Sequence, residues 1–284
     1  MISMQPELVM IKLGGSLLTD KTKPFTVRPG VIKRIANEIH NARQVKELRL
    51  IVGHGGGSFP HVPANKYQTN KGIINKKSYR GLAEVQDAAS RLNRLVVREL
   101  LDAGENAISI QLSSSGISEN SRIQYMYTEP IIMLLSYGMI PVPYGDVSLD
   151  KKKGCSIVST EEIFYYLAKE LKRQGFNLTK IINCGIVDGV FRGDPIKNPD
   201  SEIIPEITNE NIDEIRKYLS GSHGTDVTGG MLSKVEKMLK IAVETGVETF
   251  IINGLVPGRI EKALKGENVL GTRVIGHSHT TGLG

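Results

Sequence analysis

With 284 residues, 40% hydrophobic content, no tryptophan and a formal net charge of +6, the chain can bury a substantial core as one large α/β domain or two smaller ones. Its two cysteines, Cys155 and Cys184, have no metal-like or disulfide-framework spacing and are expected as buried thiols, and the start MISMQPELVMIKLGG predicts neither a secretory leader nor a membrane span, hence a cytoplasmic protein. The positive charge suits an anionic partner, either nucleic acid or a small phosphate compound.

The elements predicted in chain order alternate. Leu8–Leu13 reads as a buried strand, Val31–Ala42 as a helix and Leu48–Val52 as a second strand, which is a βαβ opening. From Tyr79 to Ala103, apolar residues recur at Leu82, Val85, Ala89, Leu92 and Val96, the three-and-four spacing of one buried helical stripe. Ala107–Leu112 then reads as a strand, Pro130–Tyr137 as a helix, Ile140–Tyr144 as a strand, Glu161–Gln174 as a helix and Leu178–Asn183 as a strand. A segment at Asn211–Leu219, a glycine-rich turn, a helix from Met231 to Gly246, and strands at Thr249–Asn253 and Thr272–Ile275 complete the series. This alternation predicts a central, mainly parallel sheet covered on both faces, a three-layer αβα sandwich, with no linker dividing residues 1–284 into separate domains.

In such sheets ligands bind beyond the carboxyl ends of the strands. Three glycine clusters fall there: Lys12–Asp20 (KLGGSLLTD), Gly53–His61 (GHGGGSFPH) and Gly224–Lys234 (GTDVTGGMLSK). Glycines admit an anion to backbone N–H groups, and a helix N-terminus adds partial positive charge. Ser58 is the expected N-cap of the following helix, ahead of Pro60 at N1. Two other phosphate motifs are absent: the dinucleotide pattern would need glycine at position 58, where Ser58 stands, and no GxxxxGK[ST] occurs. Each cluster alone could be a tight turn, but Lys12, Lys21 and Lys234 beside them add cationic charge.

KLGGSLLTDK at 12–21, GHGGGSFPH at 53–61, PYGDV at 143–147, VDGVF at 187–191 followed by Asp194-Pro195, and DVTGGMLSK at 226–234 together resemble the amino acid kinase superfamily, and within it the isopentenyl phosphate kinases. Fosfomycin kinases share much of the pattern. The resemblance spans nearly the whole chain. It implies one αβα domain, an acceptor-binding N-terminal half, an ATP-binding C-terminal half and a homodimer. By the same resemblance, Lys12, Lys21, His61, Glu161 and Lys234 are catalytic, and Gly56, His61, Gly145, Asp146 and Thr160 bind the acceptor. Lys12, Gly14, Gly15, Ser16, Gly57, Asp188, Gly189, Gly230 and Lys234 bind ATP, with Mg²⁺ bridging its phosphates and no protein metal site. His54 is expected to pack or to hold the loop, outside the site.

A phosphate monoester has its second pKa near ~6 and needs no general base. Repulsion between two polyanions is the obstacle, and positioned cations relieve it. Three departures from the family pattern stand out. Ser159-Thr160-Glu161 replaces the usual SGD, so the carboxylate expected to orient the lysines is one methylene longer. Gly185-Ile186 replaces a threonine and an aspartate beside the nucleotide, and Pro60 replaces a glycine. A phosphonate or carboxylate kinase and a non-catalytic nucleotide-binding subunit remain as alternatives. A nucleic-acid binder is weakest, because no basic stripe is interleaved with the sparse aromatics. Lys151–Lys153 reads as a solvated hairpin tip, and His277 and His279 as part of a frayed terminus.

Overall fold

The computed structural model describes residues 6–193, 200–220 and 230–276. The chain opens with β1 (Glu7–Leu13), α1 (Gly15–Leu18), α2 (Pro29–Val45), β2 (Leu48–His54), α3 (Ser58–Tyr67) and α4 (Lys77–Asp102). Its middle third carries β3 (Ala107–Ile110), α5 (Leu112–Ser115), β4 (Gly116–Glu119), β5 (Arg122–Met126), α6 (Glu129–Ser136), β6 (Ile140–Pro143), β7 (Asp146–Asp150) and β8 (Gly154–Val158). Then follow α7 (Thr160–Arg173), β9 (Leu178–Gly185), β10 (Val190–Phe191), β11 (Ile203–Ile204), β12 (Glu206–Ile207) and α8 (Ile212–Ser220). The last elements are α9 (Gly230–Thr245), β13 (Glu248–Asn253), α10 (Arg259–Lys265) and β14 (Gly271–Val274).

Six strands form the central sheet in the order β12-β14-β13-β9-β1-β2. All its pairings are parallel except β13 with β14. Beyond β2, a single parallel bridge between His54 and Tyr144 joins β6, which pairs in parallel with β3. The apolar run of β1 is continuous because both faces are covered. Val9, Ile11 and Leu13 pack into one core with Ile35 and Ile39 of α2. Leu8 and Met10 face the other core, with Ile163, Phe164 and Leu167 of α7. Helices on both sides of this sheet make the expected three layers.

Several expectations change in detail. The strand expected over Ala107–Leu112 stops at Ile110, and Leu112 begins α5. The hairpins of the second sheet, β5-β4-β7-β8, were not anticipated, although Lys151–Lys153 does form the turn between β7 and β8. There the Asp150 carboxylate accepts from the backbone N–H groups of Asn120, Ser121, Lys152 and Lys153, which holds its pKa well below the usual carboxylate range against the effect of burial. Ser58 is not the N-cap of α3: Gly57 occupies that position, and Ser58 is the first helical residue. The Ser58 hydroxyl accepts instead from the Thr26 N–H, at 3.3 Å. Asp194, Pro195, residues 226–229 of the DVTGG motif, His277 and His279 lie outside the described residues.

Candidate active site

Strands β9, β1 and β2 are neighbours, so the loops at their carboxyl ends meet. The Gly14 N–H donates to Cys184 O at 2.8 Å, and the Gly55 N–H donates to Leu13 O at 2.9 Å. This contact explains much of the glycine content. A Cβ on Gly15 would stand 2.3 Å from Gly57 N, and one on Gly57, whose φ is +57°, would stand 2.2 Å from Thr19 Oγ1. The first demand on these glycines is therefore the close approach of two backbones. That approach brings the start of α1 (Gly15, Ser16) beside the start of α3, two short helix N-termini whose first N–H groups have no partner within their own helix.

Lys12 follows Leu8 and Met10 on one face of β1, a position where an apolar residue would continue the pattern. Its ammonium is 8% exposed as a residue and donates to Glu161 Oε1 at 2.5 Å. Glu161 sits in the first turn of α7, which Ser159 caps by accepting from the Glu162 N–H at 3.3 Å. Burial by itself would raise the Glu161 pKa. The Lys12 charge and hydrogen bond, the residue's own backbone N–H and the field of Lys234 outweigh it and bring the carboxyl down to about 2. Lys234 lies in the first turns of α9. The structure thus gathers Lys12, Glu161 and Lys234 in one electrostatic cluster next to the glycine loops.

The remaining candidates divide. His61 lies one turn into α3, half-buried. Lys21 is exposed on the loop between the bridged residues Thr19 and Val27, and this loop is tied to α3 by the Ser58 N–H donating to Thr19 Oγ1 at 2.9 Å. Asp188 pairs with Arg259 of α10. Gly189 is a packing requirement, since a Cβ there would stand 2.6 Å from Thr272 Oγ1. Gly230 begins α9 with φ +65°.

Three acceptor-side candidates are already engaged within the fold. The Gly145 N–H and the Thr160 hydroxyl both donate to His54 O, at 3.0 and 2.5 Å. The Asp146 carboxylate is buried, which raises its pKa, and it accepts from the Ser113 and Val147 N–H groups at 3.0 and 2.8 Å. The Ser113 bond ties this turn to the first turn of α5.

Sequence reasoning missed Arg259, whose partner lies 71 residues away, and no local signal marks it. Among the described residues no group of three or more His, Cys, Asp or Glu could hold a metal ion, and none of their helices is long and apolar enough to cross a membrane.

Comparison with known proteins identifies the family. The model of the amino acid kinase family matches residues 7–253. The chain is 37% identical to the isopentenyl phosphate kinase of Methanothermobacter thermautotrophicus, covering 95% of this chain and 99% of the relative. It is 37% identical to that of Methanocaldococcus jannaschii, covering 94% and 98%. A crystal structure of an isopentenyl phosphate kinase superposes with a TM-score of 0.79 at 33% identity, over 94% of this chain and 99% of the other. A matched family model over most of the chain, full-length kinase relatives and a shared fold lead to one conclusion: this chain is a kinase and belongs to the amino acid kinase family.

Proposed function

We propose that the protein transfers the γ-phosphoryl group of ATP to isopentenyl phosphate, giving isopentenyl diphosphate and ADP. The observation that carries this reading is the Lys12–Glu161 pair set beside glycine loops that open two helix N-termini. Full-length similarity to isopentenyl phosphate kinases supports the choice of acceptor.

An acceptor phosphate oxygen attacks the γ-phosphorus in line, one P–O bond forms, the bond to ADP breaks, and no proton has to move because the acceptor is already largely a dianion. Backbone N–H groups at Gly15, Ser16 and Gly57 receive nucleotide phosphates, while Gly14, whose own N–H is held by Cys184 O, leads the chain into α1 beside them, and Gly56 with His61 receives the acceptor phosphate. Lys12, Lys21 and Lys234 spread positive charge around the transferred group. Glu161 keeps Lys12 and Lys234 aimed at it without adding a base.

Magnesium enters with the nucleotide as part of the donor substrate. Glu161 is paired with Lys12 and Asp188 with Arg259. Residues 1–284 work as one cytoplasmic domain, and the working form is a homodimer. In support of a dimer, Tyr125, Ile117 and Leu149 stand in register across β5, β4 and β7 and are exposed.

The test is ADP release with isopentenyl phosphate, dimethylallyl phosphate, fosfomycin, glutamate and carbamate as acceptors. Highest kcat/KM with isopentenyl phosphate is expected. Preference for fosfomycin or a carboxylate reassigns the acceptor, and no release with any of them makes the protein a non-catalytic nucleotide binder.

A further inference from the structure

His54 ends β2 with its side chain completely buried, and the mechanism above makes no use of it. Its Nδ1 lies 3.1 Å from Gly55 O, and its Nε2 lies 3.1 Å from Asn93 Nδ2 of α4. Asn93 Nδ2 also donates to Val142 O of β6, at 3.3 Å. These partners fix the protonation pattern. Gly55 O can only accept, so Nδ1 must carry the proton. Val142 O can only accept, so the Asn93 amide nitrogen faces it and offers its second hydrogen to an unprotonated Nε2. The ring of Tyr144 stacks on the imidazole, 5.6 Å between centroids and 7° between planes. The backbone carbonyl of His54 is held as firmly, accepting from Gly145 N–H and Thr160 Oγ1. One residue thus joins the glycine loop to α4, to the turn after β6 and to the start of α7, next to Glu161.

The consequence lies in the Gly55–Gly56 peptide. A glycine–glycine unit has little preference for one orientation over its flipped form. In a planar trans peptide the C=O and the next N–H point in opposite directions. With Gly55 O drawn inward onto the His54 ring, the Gly56 N–H points away from the core, to the outer side of the loop.

We propose that His54 is a positioning residue for phosphoryl transfer: its Nδ1–H fixes the Gly55–Gly56 peptide so that the Gly56 N–H faces the acceptor phosphate, and Asn93 selects the tautomer that does so. The assignment rests on the reading of Gly56 given above. It predicts different outcomes for two near-isosteric variants, because an asparagine amide nitrogen falls near the Nδ1 position and a glutamine amide nitrogen near Nε2.

The experiment compares the parent, His54→Asn and His54→Gln. Loss of kcat/KM for isopentenyl phosphate of about 10²-fold is expected for Gln and about threefold for Asn, as for misplacement of one donor, with KM for ATP steady in both. In the ligand-free parent, the ¹⁵N spectrum of the histidine side chains should show His54 protonated at Nδ1. Equal losses in the two variants, or protonation at Nε2, overturn the proposal. If the parent is inactive on isopentenyl phosphate, the function proposed above fails while His54 is still decided by the Gly56 amide shift on titration with inorganic phosphate. A shift in the parent and the Asn variant but not in Gln supports the role; no shift in the parent, or the same shift in all three, overturns it.

Discussion

The Lys12 ammonium and the Glu161 carboxylate meet at 2.5 Å across 149 residues of chain. Glu161→Gln keeps the shape and removes the charge. Turnover is expected to fall about 10²-fold, and because a buried lysine loses its partner, stability should fall by about 3 kcal/mol. Glu161→Asp withdraws the carboxylate by about 1.5 Å and should also cost activity. The stability that Glu161 contributes is present above the ordinary carboxylate range and lost only as pH falls toward about 2. Steady-state kinetics and urea unfolding of both variants check this, and a Gln variant with parental kcat removes Glu161 from the mechanism.

Lys234 contributes to the field that depresses the Glu161 pKa. Lys234→Ala should lower kcat by roughly 10²-fold or more, the size of effect seen when one preorganised charge is lost from a transition state. Single-turnover measurements separate this from slowed product release, and an unchanged chemical step would place Lys234 outside the reaction.

His61, one turn into α3, is assigned to the acceptor. His61→Ala should raise KM for isopentenyl phosphate far more than KM for ATP. Isothermal titration with each substrate gives the comparison, and a loss confined to nucleotide binding would move His61 to the other half of the site.

Gly57 tolerates no side chain: φ is +57° and a Cβ would sit 2.7 Å from Gly15 O. Gly57→Ala should destabilise the fold by about 1–3 kcal/mol through strain and overpacking, with Gly30→Ala, where a Cβ meets nothing within 4 Å, as the neutral comparison. Thermal melts of the two variants decide it.

Burial pushes the His54 imidazole from its ordinary 6.5 down to about 4, although its bond to Gly55 acts the other way. Between those values the unfolded chain binds a proton that the folded chain does not. Stability from this residue is therefore full above about pH 6.5 and lost as pH falls to about 4, by about 3 kcal/mol in total. The unfolding free energy of the parent should fall more steeply over that window than that of His54→Asn, and parallel profiles would contradict the neutral buried state.

What the sequence determined by itself was the local part of the structure. Alternation of apolar runs located β1, β2, β9 and β13, and the three-and-four spacing located α4, because those patterns depend only on which face each residue presents. A lysine inside the apolar run of β1 was legible for the same reason. The order of the glycine motifs, through family resemblance, pointed to Glu161 and Lys234. The tertiary structure decided the rest. It set β14 antiparallel on β13, turned Asp146 inward to Ser113, paired Arg259 with Asp188 and made the glycines necessary for the approach of Gly15 to Gly57. It also placed His54 behind the glycine loop as its brace. These outcomes depend on which distant backbone arrives beside a residue, and on which way a peptide group or side chain then turns to satisfy its hydrogen bonds. Local periodicity carries no information about either.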